Sequence, residues 1–100
     1  MIDLGQIVGF DWDDGNSRKN TKKHTVLESE AEQIFEDNGL VISSDLKHSQ
    51  DEPRYHALGR TMTGRFLHVT FTLRDNETKI RVISARDMNR KERGAYGQKA

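Results

Sequence analysis

The chain has 100 residues, 33% of them apolar and 32% charged, with zero formal net charge and no cysteine. That length suits one domain over residues 1–100 with a thin core, and the missing cysteines exclude disulfides, thiolate nucleophiles and thiolate metal sites. Overall neutrality argues against a nucleic-acid partner, yet residues 1–50 hold five Lys/Arg against ten Asp/Glu while residues 51–100 hold eleven against six, so a local basic surface remains available.

The start, MIDLGQIVGFDWDD, has no cationic segment and no long apolar run, so neither a secretory signal nor a membrane span is expected, and a cytoplasmic location follows. Gln6 to Trp12 is rich in strand formers and predicts a first strand anchored by Trp12. Asp13 and Asp14 then supply helix-capping chemistry, followed by a polar segment, SRKNTKKH, with room for one or two helical turns. Leu27, Ala31, Ile34 and Phe35 recur at helical spacing among glutamates, which predicts an amphipathic helix, with Ser29 and Glu32 as its capping box. Asn38 and Gly39 end it.

Leu40 to Ser43 predicts a short strand and DLKHSQDEP a loop. Arg54 to Arg60 predicts the next strand, TMTG a turn, and Arg65 to Leu73 a strand with Leu67, Val69, Phe71 and Leu73 on a core face and His68, Thr70 and Thr72 on a polar one. RDNE turns into KIRVISAR, residues 79–86, and Asp87 to Tyr96 predicts a charged terminal helix capped by Asp87. Helices set apart from an antiparallel meander make an α+β two-layer sandwich.

The chemistry centres on arginines at strand ends. Arg60 and Arg86 close their strands, and Arg81 interrupts an apolar run; a guanidinium fork fits a phosphate with two hydrogen bonds and keeps its charge at any accessible pH. On a regular strand Arg81 and Arg86 differ in parity and face opposite ways, with Arg81 beside His68 if the hairpin registers match. Surface ion pairs to Glu77, Asp87 or Glu92 are the plainer explanation of the same arginines. His24, His48, His56 and His68 lack the close spacing of a zinc site, although His56 and His68 can approach across a sheet. His24 suits proton transfer near neutral pH. No phosphate loop or nucleophile elbow is present, and Asp13 and Asp14 read as caps before they read as a cation site.

Five motifs in order, GFDWD at 9–13, NTKKH at 20–24, AEQIF at 31–35, ALGR at 57–60 and RVISAR at 81–86, with E-R and Tyr after them, resemble the BrnT family of bacterial type II toxins. The resemblance implies a RelE-like α+β ribonuclease that inhibits translation by metal-independent RNA cleavage, with no cofactor. It also implies a BrnA-type antitoxin that neutralises the toxin and carries the pair to operator DNA. Carried over by position, the candidate catalytic residues are Lys23 and His24 for proton transfer or phosphate positioning, Arg60, Arg81 and Arg86 for charge stabilisation, and Glu92 or Tyr96 as alternative proton carriers. Thr25 stands where the family usually has glycine, and Asp87 and Met88 replace more basic or smaller residues. The competing expectations are a non-catalytic RNA-binding or co-repressor module acting with its antitoxin, and a generic interaction domain.

Overall fold

The computed structural model describes residues 3–16 and 25–99, with side chains through residue 97. Five strands form one sheet: β1 (Gly9–Phe10), β2 (Val41–Ser44), β3 (Tyr55–Arg60), β4 (Phe66–Arg74) and β5 (Lys79–Asp87), ordered β1-β5-β4-β3-β2. The last four are an antiparallel meander, whereas β1 runs parallel to β5, pairing Gly9 with Lys79 and Phe10 with Ile80. The sheet is thus mixed, and the expected Gln6 to Trp12 strand shrinks to two residues. Leu4–Gln6 instead form a 3-10 turn, with Asp3 accepting from the Gly5 N–H, and Val8 remains largely exposed, so little apolar burial favours a longer pairing.

Helix α1 (Glu28–Gln33) and the 3-10 turn Ile34–Glu36 cover one face of the sheet. Three of the four stripe residues do what their spacing predicts: Ala31 and Ile34 are fully buried against Ala57, Leu67, Val69 and Phe71, and Phe35 meets Phe71 edge-on at 5.2 Å, whereas Leu27, just ahead of the helix, is exposed. The cap differs from expectation. Glu30 accepts from the Leu27 N–H, while Glu32 is drawn away to accept from the Trp12 indole at 2.8 Å. A leucine has no oxygen with which to complete a box, so only half of one forms.

Helix α2 (Arg90–Lys99) also starts later than expected. Asp87 still belongs to β5, where Arg65 holds it, and Asn89 takes the cap: its side chain accepts from the Glu92 N–H at 2.8 Å while Glu92 accepts from the Asn89 N–H at 2.9 Å. Reciprocal bonds of this kind satisfy two orphan amides at once. Asp13 and Asn16 make the same exchange at the turn after β1, so the capping explanation of Asp13 holds. The polar segment through residue 24 lies outside the described residues.

The polar parity of β4 is polar but not open. His68 and Thr70 are each 8% exposed and Thr72 1%, because the 45–54 loop and α2 cover that side; Thr72 donates to the Pro53 carbonyl at 2.7 Å, and Phe66 meets Tyr96 edge-on at 5.8 Å. Both faces of the central strand are covered, one by an apolar layer and the other by a hydrogen-bonded one.

Candidate functional site

The second face owes its content to an irregularity in β5. Thr70 pairs with Ser84 and Phe71 with Val82, so Ile83 is the extra residue of a β-bulge. The bulge resets parity: Ala85 on one side of it and Val82 and Ile80 on the other all face α1, while Arg86 opposite His68 and Arg81 opposite Thr72 face the other way. The parity argument from a regular strand is therefore overturned. Arg81 and Arg86 do share a face, and the residue beside His68 is Arg86.

Sharing a face does not bring the two arginines together. Their partners His68 and Thr72 are four residues apart on β4, which at a strand's rise is roughly 13 Å. Arg81 binds Asp13 at 2.9 Å and Asp11 at 3.5 Å, tying the chain after β1 to the sheet. These contacts hold the Asp13 carboxyl below its ordinary range, with the Asn16 amide contributing most and Arg81 next.

Around Arg86 the arrangement is different. Its two terminal nitrogens each reach a Glu92 oxygen at 2.8 Å, and Glu92 also accepts from the Asn89 amide. The Arg86 bonds, aided by Asn89, push the Glu92 carboxyl down to about 2 against the opposing effect of burial. Glu92 therefore stabilises the fold above its ordinary pKa near 4.5, and that contribution is lost as pH falls toward about 2. Thermal melts should show Glu92→Gln less stable than wild type at neutral pH, with the gap closing between pH 4.5 and about 2.

One turn further along α2, Tyr96 donates to Asp37 Oδ2 at 2.6 Å, and the same carboxylate oxygen accepts from the Arg60 N–H at 2.9 Å. Burial would raise Asp37, but bonds from Tyr96, Gly39 and Arg60 outweigh it and lower the carboxyl, while burial followed by the bond to Asp37 raises the Tyr96 phenol. Tyr96 thus stays protonated at neutral pH with its proton committed. The guanidinium groups of Arg60 and Arg93 lie 5.9 and 4.7 Å from the Phe66 ring centroid, within the range of cation–π attraction. Neither has an ion pair among the described residues. From the strand register Arg60 and Arg86 flank β4 diagonally, roughly 12 Å apart between α-carbons.

The structure therefore gathers Arg60, Arg86, Glu92 and Tyr96 around one end of β4 and α2 and sets Arg81 apart. Lys23 and His24 lie outside the described residues. Two groups given no catalytic role from the sequence lie beside the site: Arg93, which the terminal E-R motif already marks, and His68. His68 lies against His56 with ring centroids 4.9 Å apart and the rings tilted by 39°, as the strand spacing allowed, and its Nε2 is 3.8 Å from Glu92 Oε2. Among the described residues no group of three or more His, Asp or Glu could hold a metal ion. A groove lined by Leu4, Ile7, Phe10 and Phe35 together with the polar Glu32 and Glu36 lies on the α1 side, and none of these arginines lines it. No described helix is long and apolar enough to cross a membrane.

This mixed five-stranded α+β sheet has a solved counterpart: the crystal structure of the Brucella abortus ribonuclease toxin BrnT superposes with a TM-score of 0.62 at 19% identity, over 83% of this chain and 99% of that one. At that identity the likeness speaks for the fold. Among curated proteins none matches. The family is settled by sequence: residues 12–92 match the model described as ribonuclease toxin, BrnT, of type II toxin-antitoxin system, and the chain belongs to that family. Thr25 has φ of +54°, a left-handed backbone that strains a β-branched residue.

Proposed function

We propose that this toxin is a metal-independent endoribonuclease of the cytoplasm that inhibits translation, acts as one RelE-like domain over residues 1–100, and is neutralised by a BrnA-type antitoxin that links it to operator DNA. The observation that carries the reading is the group of guanidinium groups at one end of the second face, with Arg60 and Arg93 backed by an aromatic ring and Arg86 held in a fixed plane by Glu92. RNA cleavage without a metal needs such cations together with a base and an acid. The 2′-hydroxyl loses its proton to a base and attacks phosphorus, the bond to the 5′-oxygen breaks, and that oxygen takes up a proton, leaving a 2′,3′-cyclic phosphate and a 5′-hydroxyl. Arginines aimed at the pentavalent phosphate stabilise the charge that develops there.

In this reading Arg86 and Arg60 hold the phosphate, and Arg81 supports the sheet and long-range field. Proton transfer falls to Lys23 and His24, because Tyr96 donates to Asp37 and Glu92, titrating at about 2, is a weak base. The same two commitments favour a second reading, a non-catalytic RNA-binding or co-repressor module that acts with its antitoxin. Expression in bacteria without an antitoxin separates them. The ribonuclease reading predicts growth arrest that Arg86→Ala relieves, and tolerated expression of the wild type would favour the binding module.

A further inference from the structure

The two adjacent imidazoles, His56 and His68, are held very differently. His56 is fixed at both ring nitrogens, Nε2 to Asp45 at 3.1 Å and Nδ1 to the Thr70 hydroxyl at 3.0 Å. His68 is fixed at neither: Nδ1 is buried without a hydrogen-bond partner among the described residues, and Nε2 stands 3.8 Å from Glu92, inside ion-pair range but beyond a hydrogen bond. A buried ring nitrogen without a partner is uncommon in folded proteins and calls for a physical reason. Glu92, for its part, has both oxygens engaged by Arg86. Any phosphate reaching for Arg86 must compete with that carboxylate.

We propose that His68 is a positioning residue for Arg86: on gaining a proton it draws Glu92 toward itself and frees the Arg86 fork for an RNA phosphate. The proposal rests on the reading that Arg86 meets RNA. Among the described residues the groups that face His68 are His56 on β3, Arg86 on β5 and Glu92 on α2, with Asp45 and His48 behind His56. Burial is the largest influence on His68 and keeps it neutral, Glu92 favours the proton, and Arg86 and His56 oppose it, so its titration lies below the ordinary 6.5. A phosphate on Arg86 adds negative charge and reverses that balance. RNA binding then takes up a proton, and by linkage affinity rises as pH falls through the titration of His68. At 8% exposure His68 itself is too enclosed to reach substrate, which is why it acts through Glu92.

The test has two arms, both on the full chain at constant ionic strength. In the first, binding of an uncleavable mixed-sequence 2′-O-methyl RNA is measured from pH 7.5 to 5. The wild type should tighten by about tenfold, the effect of a one-unit shift in a linked group, His68→Gln should lose that limb, and His56→Gln should keep it at higher pH. In the second, NMR follows the Arg86 Nε–H signal of the wild type while the His68 ring is titrated, and the two should share one midpoint. An Arg86 signal indifferent to His68, or a His68→Gln variant that keeps the wild-type limb, overturns the proposal. Shared midpoints without RNA binding at any pH would uphold the link between His68 and Arg86 and sink the RNA reading instead.

Discussion

Arg86→Ala should lower RNA cleavage by at least about a hundredfold, the usual consequence of removing one preorganised donor from a developing oxyanion. The guanidinium is paired with Glu92 by two 2.8 Å bonds at the first turn of α2, which keep it at the end of β5 until a phosphate takes over the fork. Removing it also leaves a partly buried carboxylate without its main partner. The double variant Arg86→Ala/Glu92→Ala carries no such carboxylate and should be equally inactive while melting closer to the wild type. Single-turnover cleavage and thermal melts on the three proteins check both statements. Recovered cleavage in the double variant would mean that Arg86 served the fold alone.

Gly59→Ala should be the most damaging small substitution in the sheet. A Cβ at position 59 would lie 2.6 Å from Ile34 Cβ and 3.0 Å from the Ile34 carbonyl oxygen, and Ile34 is fully buried under β3. Neither atom is the free end of a flexible side chain, so the 3-10 turn after α1 has to retreat. Overpacking of this kind costs about 2–3 kcal/mol, which for a domain of this size is a fall in Tm of roughly 10–20 °C. The damage should reach the site as well, because that turn leads into Asp37, which holds the Arg60 amide and the Tyr96 hydroxyl. Differential scanning calorimetry reads the first effect, and RNA cleavage at a temperature where the variant is folded reads the second. The glycine before Arg60 thus has a packing reason as well as a place in the family motif.

What could be read from the sequence follows the periodicities. The stripe of Ala31, Ile34 and Phe35 and the alternation of Leu67, Val69 and Phe71 are repeated patterns, and they place α1 on the sheet as expected, although Leu27 at the stripe's start stays exposed. Single residues decided what failed. Ile83 is one more β-branched residue in an apolar run, so nothing local distinguishes a bulge from a continuous strand, yet it turns Arg81 and Arg86 to one face. Asp87 and Asn89 are both good caps, and the choice fell to a tertiary contact, the pairing of Asp87 with Arg65. The parallel pairing of β1 and the covering of His68 by α2 are likewise long-range facts that no window of neighbouring residues contains. The residues that the family motifs single out, Arg60, Arg86, Glu92 and Tyr96, lie near one another in space, but no motif could assign Arg81 to Asp11 and Asp13.

The decisive measurement is the chemistry of the cut ends. Partner-free protein is incubated with end-labelled RNA in excess EDTA beside the Arg86→Ala variant, and the new termini are resolved by their response to kinase and phosphatase. Cleavage by the wild type alone, leaving 5′-hydroxyl and 2′,3′-cyclic phosphate ends, is the predicted result. Termini bearing a 5′-phosphate, or cleavage that EDTA abolishes, would contradict the account.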